Sequence, residues 1–167
     1  MVLNRDGLVW AGHRISRSRR DPEGQDRWWQ MLQGGIDASE DPAKAALREL
    51  EEETGIRSVA PLAVSRDWRS YDFPPEHVGL QRALVYRGQT QRWTAVRFTG
   101  KDEEVDIGAK PGIAPEFTQW RWLPMRELPS LVAPFKRAVY TEVVREFAHL
   151  QGSRAEGRFP SDSPGNA

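Results

Sequence analysis

Apolar and polar positions change period several times along this chain, and the changes mark out its elements. Val2–Asn4 and Leu8–Ala11 are short apolar runs flanking Arg5-Asp6-Gly7, which predicts a β-hairpin around a tight turn. Residues 13–28 lose all period and begin basic, so they read as an exposed loop. Trp29–Gln33 resumes as a short strand. Ala43, Ala46, Leu47 and Leu50 then recur at helical spacing, predicting one amphipathic helix within residues 34–56 that carries Glu40, Arg48, Glu49, Glu52 and Glu53. Gly34 and Gly35 precede it, and Gly55 stands where a helix C-cap belongs. Val59–Trp68 alternates loosely as a strand, and Tyr71-Asp72-Phe73-Pro74-Pro75 reads as a rigid turn. Ala83–Tyr86 and Arg92–Phe98 predict two strands around a turn at Arg87-Gly88-Gln89. Glu116–Leu123 is an aromatic-rich strand, and Val139, Val143, Phe147 and Leu150 give Pro134–Leu150 the spacing of a second helix. Strands, helix, strands, helix is the order of an α+β protein, a mixed sheet flanked by helices in an αβα sandwich.

Length and composition narrow this picture. At 167 residues the chain suits one domain, read as residues 1–150, followed by a disordered tail at 151–167 rich in Gly, Ser and Pro. Basic and acidic residues balance at 24 each, so no global field points to DNA or a membrane, and any polyanion site must be local. The absence of cysteine excludes disulfides, thiolate metal sites and cysteine nucleophiles together. The first residues form neither a signal peptide nor a membrane span, which makes the cytoplasm the expected location.

The chemistry concentrates in the first helix. Glu49, Glu52 and Glu53 lie at i, i+3 and i+4, so three carboxylates share one helical face. Two readings of such a face stand: solvated surface, the common fate of Glu-rich helices, or a site for a hard divalent cation. Mg²⁺ or Mn²⁺ takes carboxylate and water oxygens and leaves positions open for phosphate. No lysine is interleaved on that face, and the apolar stripe lies elsewhere on the helix. The full string fits G-x5-E-x7-R-E-U-x-E-E-x-G-U, U being aliphatic, through Gly34, Glu40, Arg48, Glu49, Leu50, Glu52, Glu53, Gly55 and Ile56. From average residue usage, a chance match is on the order of one in a billion per starting position.

That string resembles the Nudix box, with every specified position filled. Outside it, Gln30–Ile36, Tyr71–Pro74, Gly88–Trp93, Pro115–Trp122 and Phe135–Tyr140 resemble blocks of the bacterial RNA pyrophosphohydrolases, which are similar to the plant-type diadenosine tetraphosphate hydrolases. The resemblance covers almost everything from Asn4 to about Leu150. It implies a Nudix fold and Mg²⁺- or Mn²⁺-dependent hydrolysis. The reaction is removal of pyrophosphate from 5′-triphosphorylated RNA, a step in mRNA decay, or cleavage of dinucleoside polyphosphates.

The resemblance also implies roles. Glu49, Glu52, Glu53, Glu116 and Gly34 form the metal set, with Glu116 matching the family's remote glutamate. Glu53 or Glu116 activates the water. Arg48 pairs with a box carboxylate and holds the helix, and Glu40 is a structural or outer partner. Lys136 and Arg137 offer charge to the phosphates, Tyr71 and Gln89 offer hydrogen bonds, and Phe135 stacks on a base. Against these stand ordinary alternatives, a core Phe and a solvated Lys-Arg pair. The basic run Arg14, Arg17, Arg19 and Arg20 is either a track for RNA phosphates or a loop neutralised by Asp21, Glu23 and Asp26.

Three departures from the family pattern stand out. Leu32 replaces a proline before Gln33-Gly34-Gly35, so the turn is expected to be looser. The family's longer N-terminal segment is missing, which reads as a truncated or mis-set start and a shortened first strand. His13 stands where relatives place a substrate-facing arginine. Three functions follow for testing: an RNA 5′-pyrophosphohydrolase, a dinucleoside polyphosphate hydrolase, and a non-catalytic nucleotide-binding Nudix module. A monomer is the expected state.

Overall fold

The computed structural model describes residues 1–15, 28–74, 86–112 and 114–152. Its strands are β1 (Val2–Leu3), β2 (Val9–Arg14), β3 (Trp29–Gln30), β4 (Val59–Val64), β5 (Arg69–Asp72), β6 (Gly88–Gln91), β7 (Thr94–Phe98) and β8 (Phe117–Leu123). The helices are α1 (Pro42–Thr54), α2 (Leu128–Leu131) and α3 (Arg137–Phe147), with short 3-10 turns at Asp102–Glu104, Met125–Glu127, Pro134–Lys136 and Ala148–Gly152.

Six strands form one mixed sheet in the order β3-β2-β1-β7-β4, with β8 added along β2. The β1–β2 pair is the expected hairpin, Leu3 opposite Val9, while β1 runs parallel to β7. β8 pairs with β2 from Val9↔Leu123 to Arg14↔Phe117. On its other edge β2 meets β1 first and then β3, through Gly12 and His13. β3 thus takes up the edge that the short β1 leaves.

Alternation divides the core between the two sheet faces. Leu3, Val9 and Ala11 pack with Met31, Tyr140, Val143 and Phe147, which seats α3 on one face. Val2 and Trp10 turn to the other side and pack with Leu50, Ile56, Val96, Phe98 and Phe117, which seats α1 there. The layering is the expected αβα arrangement of an α+β fold.

Several boundaries differ from expectation. β2 runs on through His13 and Arg14, which the polar composition had assigned to a loop; its pairing to β8 and β3 outweighs local polarity. Tyr71-Asp72 lies in strand β5 rather than a turn, and Gly88–Gln91 is strand β6, paired to β5 from Arg69↔Gln91 to Asp72↔Gly88. Only Tyr71 of that pairing points into the core, so apolar periodicity was too weak to signal it. Glu40 precedes the helix, because Asp41 is the N-cap; its Oδ1 accepts from the amides of Ala43 (3.1 Å) and Lys44 (3.0 Å). The helix buries Ala43, Ala45, Leu50 and Thr54, with Ala46 and Leu47 only partly covered. Gln151 and Gly152 belong to the last 3-10 turn rather than the tail. Residues 83–85 of the strand expected before the Arg87 turn, the basic residues Arg17, Arg19 and Arg20, and the tail from 153 onward lie outside the described residues.

Candidate active site

Helix α1 ends at Gly55, whose left-handed φ of 71° lets its amide reach back 2.8 Å to the Glu51 carbonyl. This fixes the last two turns, which carry Glu49, Glu52 and Glu53. Arg48 is the hub beside them. Its Nε and Nη2 grip both oxygens of Glu40 at 3.0 Å, Nη1 reaches Glu49 (3.0 Å) and Glu52 (3.4 Å), and Nη2 also donates to the Gly35 carbonyl at 2.9 Å. The Arg48 hydrogen bonds hold the Glu40 carboxyl down at about 2. Glu40 is therefore placed as an arginine partner, away from the helix face.

Gly34 is explained by Glu49. A Cβ built on Gly34 would lie 2.0 Å from the Glu49 Cγ and Cδ, while the Gly35 amide donates to Glu49 Oε1 at 2.9 Å. The glycine turn is a cradle that the carboxylate fills, and a side chain there would displace it. Gly34 itself has only main-chain atoms to offer a cation.

Glu53 has a different environment. It is largely buried, its Oε2 meets no hydrogen-bond donor among the described residues, and burial, then the charges of Glu116 and Glu49, push its carboxyl up to about 8. Glu116 sits just before β8, 3.5 Å from the Arg14 guanidinium at the end of β2, and its carbonyl accepts from Ile15 at 2.9 Å. The structure therefore brings Glu116 electrostatically against Glu53 although the two are far apart in sequence.

Lys136 is neither solvated nor open. Its ammonium is buried and donates to Gln30 Oε1 (3.1 Å) and Gln33 Oε1 (2.9 Å), 5.6 Å from the Tyr71 ring centre. Burial first, and Arg14 second, bring it down to about 7, with Glu116 acting in the opposite direction. Tyr71 is buried too and donates from its hydroxyl to Gln89 Oε1. Phe135 packs 5.5 Å from the Tyr71 ring and 6.5 Å from Phe73, so its ring is partly core. Arg137 is not brought to this group. It follows Lys136 by one helical step, is exposed, and donates to the Pro129 carbonyl at 3.1 Å. His13 turns to the Thr118 hydroxyl at 2.9 Å.

Gln30 and Gln33 were missed as functional supports, because nothing local ties either to a residue more than a hundred positions downstream. No three Asp, Glu or His side chains among the described residues are drawn into a ready-made cation cage. Arg48 draws Glu49 and Glu52 to itself and leaves Glu53 aside. The donor set nevertheless fits a hard divalent ion: the charges of Glu116, Glu49 and Glu52 all act on Glu53, whose buried Oε2 meets no donor among the described residues.

A family model, the NUDIX domain, matches residues 1–143. The chain belongs to the Nudix family. Among curated relatives of this Nudix protein, the RNA pyrophosphohydrolase of Rhizobium meliloti (strain 1021) is 54% identical over 90% of each chain. That of Agrobacterium fabrum is 53% identical, over 91% of this chain and 90% of the relative. Solved structures with the same fold include the E. coli dihydroneopterin triphosphate pyrophosphohydrolase, at TM-score 0.58 and 17% identity over 87% of this chain and 93% of that one. A C. elegans Ap4A hydrolase matches at TM-score 0.55 and 14% identity, over 89% and 92%.

Proposed function

We propose that this Nudix protein is an RNA 5′-pyrophosphohydrolase, releasing pyrophosphate from 5′-triphosphorylated RNA with Mg²⁺ or Mn²⁺. The carrying observation is the 54% identity to an RNA pyrophosphohydrolase over 90% of both chains, and the site's chemistry agrees with it. Glu49, Glu52, Glu53 and Glu116 would hold the metal, together with the Gly34 main chain. The metal supplies polarisation of the phosphoryl group and a water of lowered pKa.

The protein's own groups do the rest. Arg48 keeps Glu49 and Glu52 oriented, and the Gly34 cradle fixes Glu49. Glu53 or Glu116, in its carboxylate form, takes the proton from the attacking water. Lys136 and Arg14 bring positive charge to the phosphates, and Tyr71, Gln89 and Phe135 line the neighbouring wall. Product release commits the transcript to decay in the cytoplasm. No helix among the described residues is long and apolar enough to cross a membrane. The protein acts as a monomer.

Cleavage of dinucleoside polyphosphates is the second reading, since a diphosphate linkage beside the Tyr71, Phe73 and Phe135 rings suits a polyphosphate as well as an RNA end. A competition assay decides. Triphosphorylated RNA and diadenosine tetraphosphate are supplied together with Mg²⁺, and preferential release of pyrophosphate from RNA is expected. Strong preference for the dinucleotide would overturn the ranking.

A further inference from the structure

The C-terminal turn of α1 holds Glu51, Glu52, Glu53 and Thr54, with no basic residue. The last carbonyls of any helix lack intrahelical partners, and the macrodipole leaves partial negative charge on them. Here that end also carries candidate metal ligands, so its geometry matters to the site.

The segment after β7 binds this end repeatedly. Glu104 Oε1 accepts from the amides of Arg57 (2.6 Å) and Ser58 (2.8 Å), and the Asp106 amide donates to the Thr54 carbonyl at 2.7 Å. Lys110 then reaches furthest back: its Nζ donates to the Glu52 carbonyl at 2.9 Å and the Glu51 carbonyl at 3.2 Å. Lys110 thereby sets a cation against the last-turn carbonyls, while Arg57 pairs with the Glu51 carboxylate at 2.8 Å. Lys110 also stands a few residues before Glu116, whose carbonyl is tied to β2 through the Ile15 amide. One side chain thus clamps two carbonyls of the helix turn that carries Glu52 and Glu53.

We propose that Lys110 is a positioning residue for the metal site, holding in place the last turn of α1, which carries Glu52 and Glu53. The inference rests on the assignment of Glu49, Glu52, Glu53 and Glu116 as metal ligands. Lys110 touches main-chain carbonyls and acts only through the carboxylates it places.

Full-length Lys110→Met and Lys110→Arg are compared with the parent by direct Mn²⁺ titration, by kcat and KM on 5′-triphosphorylated RNA, and by thermal unfolding. Lys110→Met is expected to weaken Mn²⁺ binding about tenfold, the low end for residues that orient metal ligands. It should lower kcat by a similar factor and leave KM within about twofold. Lys110→Arg, which keeps a charged donor, restores both. Parental Mn²⁺ binding and kcat in folded Lys110→Met overturn the proposal, and so does a loss of thermal stability alone, since a purely structural cap would produce that. If Lys110→Met does not fold, Lys110→Gln is read by the same criteria. Should the parent leave triphosphorylated RNA uncut, the RNA reading fails, while the Mn²⁺ titration still decides the role of Lys110.

Discussion

Glu53 combines two demands that oppose each other at the level of one side chain. A metal needs its carboxylate ionised, yet burial and the neighbouring Glu116 and Glu49 charges lift the carboxyl from 4.5 to about 8 in the metal-free protein. Glu53→Gln should therefore lower turnover by about 10²–10⁴-fold, the range for loss of a proton-transferring group, with nucleotide binding largely kept. Unchanged turnover would remove Glu53 from the site. The same substitution has a signed effect on stability. Between pH 4.5 and about 8 the folded parent keeps a proton that the unfolded chain has released, so the Glu53 contribution falls as pH rises. The glutamine variant has no proton to lose. In EDTA it should match the parent near pH 4.5 and exceed it increasingly up to pH 8, a trend that urea unfolding of both proteins checks. Gly34→Ala makes a narrower point. Its Cβ would overlap the Glu49 side chain, so kcat should fall about 10–100-fold, as when a ligand is misplaced. A crystal structure should show Glu49 displaced; full activity with Glu49 unmoved would refute the cradle. The box glutamates were legible because helical spacing is local information. The burial of Lys136 was not, because it is created by Gln30 and Gln33 at sequence separations of 106 and 103.

Among the elements, α1 is the one that sequence described best and that organises most of the site. Its end at Gly55 is readable from residue type, whereas its start at the Asp41 N-cap falls one residue after Glu40, which the sequence pattern places inside the helix. Arg48 then ties the helix to the turn before it by reaching Glu40, Glu49, Glu52 and the Gly35 carbonyl together. A guanidinium presents five donors in a fixed planar fork, whereas an ammonium has three on a compact point charge and cannot match this set of partners. Arg48→Lys is accordingly expected to reduce kcat about 10–100-fold with a smaller change in KM. If steady-state kinetics of Arg48→Lys match the parent, charge alone suffices and the fork geometry is irrelevant. The β5–β6 ribbon shows where sequence fell short. Ser70, Asp72, Gln89 and Thr90 are exposed, so the pairing is written in main-chain hydrogen bonds and polar side-chain pairs such as Ser70–Thr90 (2.8 Å), Arg87–Asp72 (2.9 Å) and Tyr71–Gln89 rather than in alternating apolar residues. It places Tyr71 and Gln89 opposite each other, which no reading of either segment alone could supply.

At the scale of the molecule, the sheet separates two cores, and the proposed site lies where elements from both sides converge. α1 brings carboxylates from one face, while Lys136 arrives at the head of α3 from the other, packed among Gln30, Gln33, Tyr71 and Phe135. A buried ammonium held by two neutral amide oxygens, with no direct carboxylate among the described residues, is a strain on the fold that substrate phosphates would relieve. Lys136→Met, which keeps the stem and removes the charge, should separate the two roles. The folded state holds Lys136 at about 7 against 10.5 when unfolded, so between those values the unfolded chain binds the extra proton and the parent gains stability as pH rises. The methionine variant lacks that dependence. In metal-free protein it should be more stable than the parent at and below pH 7, with the advantage shrinking towards pH 10.5, opposite in pH direction to Glu53→Gln. Activity should move the other way, with KM for triphosphorylated RNA raised about tenfold or more by loss of a charged contact to phosphate. Unfolding curves from pH 6 to 10 and KM measured on the same preparations test both halves. A variant less stable than the parent at pH 7 would show that the Lys136 ammonium is a net structural support, and an unchanged KM would remove it from the phosphate site.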